Sequence, residues 1–220
     1  MLRQLSKGDT VLVLVAHLDD EVLGCGALMS RYSAEGVLFH VYISSGRQQR
    51  ERTSSDIKHA KEVTDLFGAS LLGVGAHRET FMDRDIGSLA DEFGRWIEQL
   101  KPDLVIGHWV GSRHQDHAAC ARATRIAVRP YWYGCPYMAM EVPESGPMME
   151  PNLCVEVSDT DLQAKVRAFE LYRDEVLPDS KWRSIRGIET LAALRGMQNG
   201  VQFAESFLIE QVAWPLEVAG

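Results

Sequence analysis

Apolar and polar positions along this chain switch repeatedly between two patterns. Val11 to Ala16 is an apolar run without polar interruption, the signature of a strand buried on both faces. From Glu21 to Glu35 the residues Val22, Leu23, Ala27, Leu28 and Tyr32 recur at helical spacing, and Gly36 supplies a stop. Val37 to Ser44 reads as a second strand, Ser54 to Phe67 as a helix closed by Gly68, and Ser70 to Val74 as a short third strand. Residues 75 to 87 lack periodicity and read as a loop. Leu89, Phe93, Trp96, Ile97 and Leu100 place one apolar face on a helix from Ser88 to Leu100. Beyond Pro102, Asp103 to His108 forms a fourth strand centred on Leu104-Val105-Ile106, and a helix follows from Asp116 to Val128.

Strands alternating with helices predict a parallel sheet joined by right-handed crossovers. The remainder is less regular. Pro130, Pro136, Pro143, Pro147 and Pro151 interrupt residues 130 to 151. Leu153 to Val157 suits a further strand. Ser158-x-x-Asp161 resembles a capping box opening a helix to about Glu175, and Trp182 to Arg195 reads as a last helix stopped by Gly196. Neither an internal repeat nor a low-complexity linker divides the chain. The expectation is one domain over residues 1–220: a Rossmann-like α/β fold, its mostly parallel sheet flanked by helices, with an irregular C-terminal third packed on it.

Composition narrows the function classes. A chain of 220 residues with 45% hydrophobic content is long enough to bury a core without staples. Its formal net charge of −8 is wrong for broad binding to nucleic-acid backbones, while a small anionic substrate met by local arginines stays open. Cys25, Cys120, Cys135 and Cys154 form no C-x-x-C pair and read as reduced thiols. The polar start, Met1 to Asp9, does not read as a signal peptide, and no apolar run approaches the roughly 20 residues needed to span a bilayer. A cytoplasmic protein without membrane insertion is the expectation, and a homo-oligomer is compatible with it.

The chemistry begins where the first strand ends. His17, Asp19, Asp20 and Glu21 follow the apolar run directly. An imidazole and carboxylates packed there are costly unless they are paired or hold a cation. His114-Gln115-Asp116-His117 follows the fourth strand. In a sheet ordered 3-2-1-4 the first and fourth strands are neighbours, and the crevice at their carboxyl ends is where ligands bind. Two histidines and a carboxylate with an open position describe a hydrolytic zinc site. Taken singly, each residue has a plainer reading: a packed strand-end histidine, or acids stabilising a helix N-terminus. Their joint occurrence at both sheet-edge loops favours the metal. Gly24 and Gly26 sit inside the first helix, so a dinucleotide fingerprint fails its context. A nucleotide-binding transferase would need that glycine-rich turn, and a non-catalytic binding protein would show a broken ligand set.

Ala16-His17-Leu18-Asp19-Asp20-Glu21 with Leu23-Gly24-Cys25-Gly26 resembles the first signature of the zinc-dependent de-N-acetylases of the PIG-L/LmbE-like family, and His108-Trp109 with Arg113-His114-Gln115-Asp116-His117 resembles the second. Lys101 to Ile106 fits the strand before the second motif, and Phe203-Ala204-Glu205-Ser206-Phe207 the family's C-terminal block. The resemblance implies that His17, Asp20 and His117 are zinc ligands and that Asp19 is the general base for the zinc-bound water. It assigns His114 to stabilising the oxyanion and Asp116 to orienting the His114 ring. It implies hydrolysis of an N-acetyl group on an N-acetylglucosamine-type sugar or sugar-like small molecule. The same ligands suit Fe²⁺ or another divalent ion. Two positions depart from the family pattern: Leu18 stands where proline is usual, and Asp56 where the second helix tends to carry a substrate-contacting arginine. Arg47, Arg50 or Arg52 in the preceding loop would substitute; Arg47, Arg52, Asp83 and Arg113 are the candidate substrate contacts. Tyr131-Trp132-Tyr133 offers aromatic faces, and His108 a group beside the pocket.

Overall fold

A computed structural model of the chain describes residues 4–46, 54–130, 134–143 and 149–212. β1 (Thr10–Val15) lies inside the sheet, paired in parallel with β2 (Leu38–Ile43) on one side and β4 (Leu104–Gly107) on the other. β3 (Ser70–Val74) extends the sheet beyond β2, and β5 (Tyr137–Met140) beyond β4, again in parallel. The sheet ends with β7 (Phe203–Gln211), antiparallel to β5, and β6 (Leu153–Val157), antiparallel to β7. Its order is β3-β2-β1-β4-β5-β7-β6. The mixed α/β architecture and the expected 3-2-1-4 core are therefore present.

β1 shows why the core takes two layers. Val11, Val13 and Val15 face one hydrophobic cluster, while Leu12, Leu14 and Ala16 face the other. The first cluster is closed by α1 (Asp20–Ala34), α2 (Ser54–Leu66), α5 (Asp159–Leu171) and α6 (Ile185–Gln198). The second is closed by α3 (Ile86–Leu100) and α4 (Gln115–Ala127). Both faces of the strand are dry, so an unbroken apolar run suits it.

The C-terminal third contributes more order than its sequence pattern suggests. β5 is four fully buried residues in the proline-interrupted stretch, and β7 was not anticipated as a strand. The capping box of α5 forms as expected: Ser158 Oγ accepts from the Asp161 amide at 3.2 Å, and the Asp161 carboxylate accepts from the Ser158 amide at 3.0 Å. That helix ends at Leu171, however, short of Glu175. α6 starts at Ile185, not Trp182, with Ser184 as its N-cap, and it passes through Gly196. Gly196 is there for space: a Cβ would lie 2.4 Å from the Gln202 carbonyl oxygen. In the 75–87 loop a single 3-10 turn spans Met82–Arg84.

α1 is not a continuous helix. Cys25 sits at φ −147°, ψ 21°, breaking the hydrogen-bond ladder. Gly24, beside the break, faces Met140 of β5 so closely that a Cβ would meet its Sδ at 2.1 Å. Glycine at position 24 thus lets α1 approach the Met140 side chain of β5.

Candidate active site and metal centre

Four residues, 16 to 19, join β1 to α1. The His17 amide donates to Asp20 Oδ2 at 2.8 Å, turning the Asp20 carboxylate back toward the strand end. Asp19 takes φ 90°, a left-handed conformation that costs a non-glycine residue of order 1–3 kcal/mol. His108, the residue after β4, anchors the turn from the neighbouring strand: its Nε2 accepts the Ala16 amide at 3.0 Å. α4 begins nearby with His114 as N-cap, Nδ1 accepting the Asp116 amide at 3.3 Å. One helical turn brings His117 inward.

These short segments converge at the crevice between β1 and β4. Asp20 is the hub. Its carboxylate lies 3.4 Å from His17 Nδ1, 3.2 Å from His108 Nε2 and 3.3 Å from His117 Nε2. The His108 and His117 rings stack at 4.0 Å, and His114 stacks on His117 at 4.4 Å. Ligand atoms of His17, His114 and His117 lie within 4.8 Å of one another, as do those of Asp20, His108 and His117. Asp116 stands behind His17, with Oδ2 3.0 Å from Nε2. The Thr80 amide at 2.6 Å and the Met82 amide at 3.2 Å hold that carboxylate. The Asp116 carboxylate therefore meets His17, whereas His114 meets the Asp116 backbone.

The electrostatics explain how so many charges share a dry space. Burial alone would push Asp20 up, but the His117 and His108 imidazoles hold it well below the usual carboxylate range. Burial opposes charge on His17, yet the Asp116 and Asp20 carboxylates outweigh it and raise the ring to about 10. Burial, with His117 and His17 beside it, lowers His114 to about 4. Burial and the neighbouring Asp20 charge push the Asp19 carboxyl up, against the pull of Arg183. Glu21, fully buried, is raised by burial to about 7, and its Oε1 accepts the Tyr172 hydroxyl at 2.7 Å. A field that favours a proton on His17 also favours a metal cation. The donor set fits one. Nδ1 of His117, on a ring 3% exposed, has no hydrogen-bond partner among the described residues, and a buried polar atom left so is costly.

The cleft above this cluster spans about 560 Å³, part of it open to solvent. Its walls include His17, Asp19, Asp20, His114 and His117, together with Leu18, Leu23, Ser45, Gly46, Glu79, Val142, Pro143, Glu175 and Arg183. The fold thus brings His17, Asp19, Asp20, His114, Asp116 and His117 together. Asp83 and Arg113 are exposed and not among the residues lining the cleft. Arg47, Arg50, Arg52 and Tyr131-Trp132-Tyr133 lie outside the described residues.

Arg183 is the principal cleft residue that sequence reasoning passed over. Its Nη2 lies 2.5 Å from Asp19 Oδ2 and also pairs with Glu175. It stands in the loop before α6, within a stretch whose pattern suggested a helix, and nothing in its neighbours marks it. Glu79, from the loop after β3, was likewise unmarked.

The model of the PIG-L family, described as GlcNAc-PI de-N-acetylase, matches residues 12–128, more than half of the chain. The chain belongs to the PIG-L family. The match runs from β1 through α4 and so contains both clusters of this PIG-L site; Arg183 and the rest of the C-terminal third lie beyond it. Solved structures share the fold at low identity. The N,N'-diacetylchitobiose deacetylase of Pyrococcus horikoshii aligns with TM-score 0.72 at 20% identity, covering 92% of this chain and 84% of that one. A zinc-inhibited form of teicoplanin deacetylase Orf2 aligns with TM-score 0.68 at 18% identity, covering 90% and 96%. The 4-carboxy-2-hydroxymuconate hydratase GalB of Pseudomonas putida KT2440 aligns with TM-score 0.69 at 16% identity, covering 96% and 100%. Among curated proteins no sequence match was found.

Proposed function

We propose that this PIG-L protein is a metal-dependent N-deacetylase that hydrolyses the acetamide of an amino sugar or sugar-like small molecule, releasing acetate and a free amine. The observation that carries this reading is the meeting of His17, Asp20 and His117 with Asp19 in one cleft at the switch point of the sheet. His17, Asp20 and His117 would hold the cation, which supplies Lewis acidity toward water and the amide carbonyl. Nitrogen and oxygen donors of this kind suit zinc or ferrous iron. The zinc-inhibited form of one similar deacetylase is a reason to assign a divalent cation and leave its element to measurement.

The chain's own groups divide the proton work. Asp19 faces the cleft with a raised proton affinity, as a general base near working pH requires. It accepts a proton from the attacking water and passes it to the departing nitrogen, so that water's elements are split between acetate and amine. His114 uses Nδ1 to accept a backbone amide, which assigns the proton of its neutral ring to Nε2. This half-buried neutral imidazole then donates that hydrogen toward the oxygen on which charge develops. Asp116 braces His17 by accepting from its Nε2, which fixes the ring and leaves Nδ1 for the cation.

A second reading, addition of water to an unsaturated acid, has support in the hydratase that shares this fold along its whole length. The two separate in one assay. Purified protein with a defined divalent metal is incubated with N-acetylglucosamine, N-acetylated disaccharides and their glycosides, and acetate and amine are quantified; unsaturated dicarboxylates are run in parallel. Stoichiometric acetate and amine support deacetylation. A metal-loaded protein that releases no acetate from the panel but hydrates the acids overturns it. Among the described residues no helix is long and apolar enough to cross a membrane.

A further inference from the structure

We infer that Arg183 is a positioning residue: it fixes the rotamer of Asp19, and Glu175 in turn fixes Arg183. This rests on the deacetylase reading, in which Asp19 is the base. The argument starts from the backbone. Asp19 occupies the N-cap position of α1, yet its side chain makes no capping hydrogen bond. The helix that follows it therefore does not hold the carboxylate. Asp19 is 2% exposed and lies next in sequence to the Asp20 carboxylate. A buried carboxylate in that position is repelled by its neighbour and free to rotate about two side-chain bonds unless something outside the turn grips it.

Arg183 provides the grip. Its Nη2 donates to Asp19 Oδ2 at 2.5 Å, leaving Oδ1 for the proton that the reaction moves. The same Nη2 pairs with Glu175, so one end of the guanidinium is held between two carboxylates. The segment that carries both residues is fastened at both ends. At its start the Tyr172 hydroxyl donates to buried Glu21 at 2.7 Å, and at its end Ser184 caps α6 by accepting the Gly187 amide at 3.0 Å. Within it the Leu177 amide donates to the Arg183 carbonyl at 2.7 Å, closing the loop on itself. Asp19 and Glu21 thus both reach into the 172–184 segment, while Asp20 between them turns to the histidines. One nitrogen carrying two hydrogens therefore serves both carboxylates.

The test pairs kinetics with crystallography on the metal-loaded, full-length protein. Arg183→Ala and Glu175→Gln are assayed for acetate release from the best N-acetyl sugar, and metal content is measured alongside. Arg183→Ala is expected to lower kcat about 10- to 100-fold, the usual effect of removing a positioning partner, with KM and bound metal little changed. Added guanidinium should restore part of that kcat. Glu175→Gln should show a smaller loss of kcat in the same direction. In the crystal structure of Arg183→Ala the Asp19 carboxylate should leave its rotamer. Wild-type kcat in Arg183→Ala, or a rise in KM with kcat intact, overturns the positioning role, as does an Asp19 side chain that stays in place. Wild-type protein that releases no acetate overturns the deacetylase reading instead, and the crystallographic arm still decides whether Arg183 holds Asp19.

Discussion

Two groups of charged side chains are buried against α1, and they are built in opposite ways. At the start of the helix, Asp20 gathers three imidazoles within 3.4 Å and the group opens on a cleft. At the break in the helix, Lys165 and Glu205 form an ion pair of 2.7 Å on the wall of a smaller pocket. Lys165 Nζ donates to the Leu23 carbonyl at 2.8 Å, and Glu205 accepts the Ala27 and Leu28 amides at 3.0 and 2.7 Å. The pair answers the backbone groups that the irregularity at Cys25 leaves without helical partners. The first group, by contrast, leaves His117 Nδ1 buried and without a partner among the described residues. Charge is costly to bury in both places. Where every group is answered within the protein the buried charge is tolerated, and where one is left over the group is set for a ligand.

That contrast is broken most severely at the cleft. Asp19→Asn removes the base and keeps the shape. It should lower kcat by about 10²–10⁴-fold, the range for a lost general base, with metal content unchanged by elemental analysis. Undiminished turnover would remove Asp19 from the mechanism. Chelation should act on the same group from the other side. A cation present at about 1,000 times its Kd stabilises the folded state by about 4 kcal/mol. Stripping it should therefore lower the wild-type Tm, measured by calorimetry, and abolish acetate release. Asp20→Asn should be inactive from the outset and indifferent to chelator. A wild-type Tm that does not move in chelator would mean that no cation is bound there.

The two groups also differ in how far the sequence announced them. His17 and Asp20 stand directly after the first apolar strand and His117 at the start of the helix that follows the fourth, and the strand order unites them. Lys165 and Glu205 carry no such mark. Lys165 falls at an ordinary helical position, and Glu205 sits in Phe203-Ala204-Glu205-Ser206-Phe207-Leu208, where apolar and polar residues come in pairs and give no strand period. Their partnership depends on β7 entering the sheet antiparallel beside β5, a pairing across about 70 residues that no local pattern encodes. Arg183 was hidden for the same reason, since its meaning comes from Asp19, 164 positions away. β1 through α4 was legible because each element carries its own periodicity. β5 was not, because four buried residues between prolines are too few to show a period.

Lys165→Met is the matching test of the second group. Removing one partner of a buried pair leaves the other uncompensated, at about 3–5 kcal/mol. Urea unfolding of the metal-loaded protein should show a loss of that size, while kcat of the folded fraction stays at the wild-type level. Adding Glu205→Gln should recover part of the stability, giving a coupling energy of opposite sign to the two single losses. Strict additivity would show that the pair does not act as a unit. A large kcat loss at full folding would join this pair to the chemistry and erase the distinction between the groups.

The smallest effect lies at a half-exposed pair, which sets the lower limit of the comparison. His77 Nε2 meets Glu92 Oε2 at 2.8 Å, with the Glu92 side chain 26% exposed. The hydrogen bond to His77 holds the Glu92 carboxyl below its ordinary value, against the pull of burial. A depressed folded-state pKa contributes stability above the unfolded pKa, about 4.3 for glutamate. That contribution is lost as pH falls through the lower folded value. Solvent screening keeps it small, within about 1 kcal/mol. Glu92→Gln should therefore be less stable than wild type at pH 7 by no more than that amount, with the gap closing below about pH 4, as followed by urea unfolding across pH. A gap that persists into acid would mean that Glu92 contributes through packing and neutral hydrogen bonding, not through its charge. A gap as large as that of Lys165→Met would show that pairing matters more than dryness, and the distinction drawn between the two buried groups would then rest on the wrong variable.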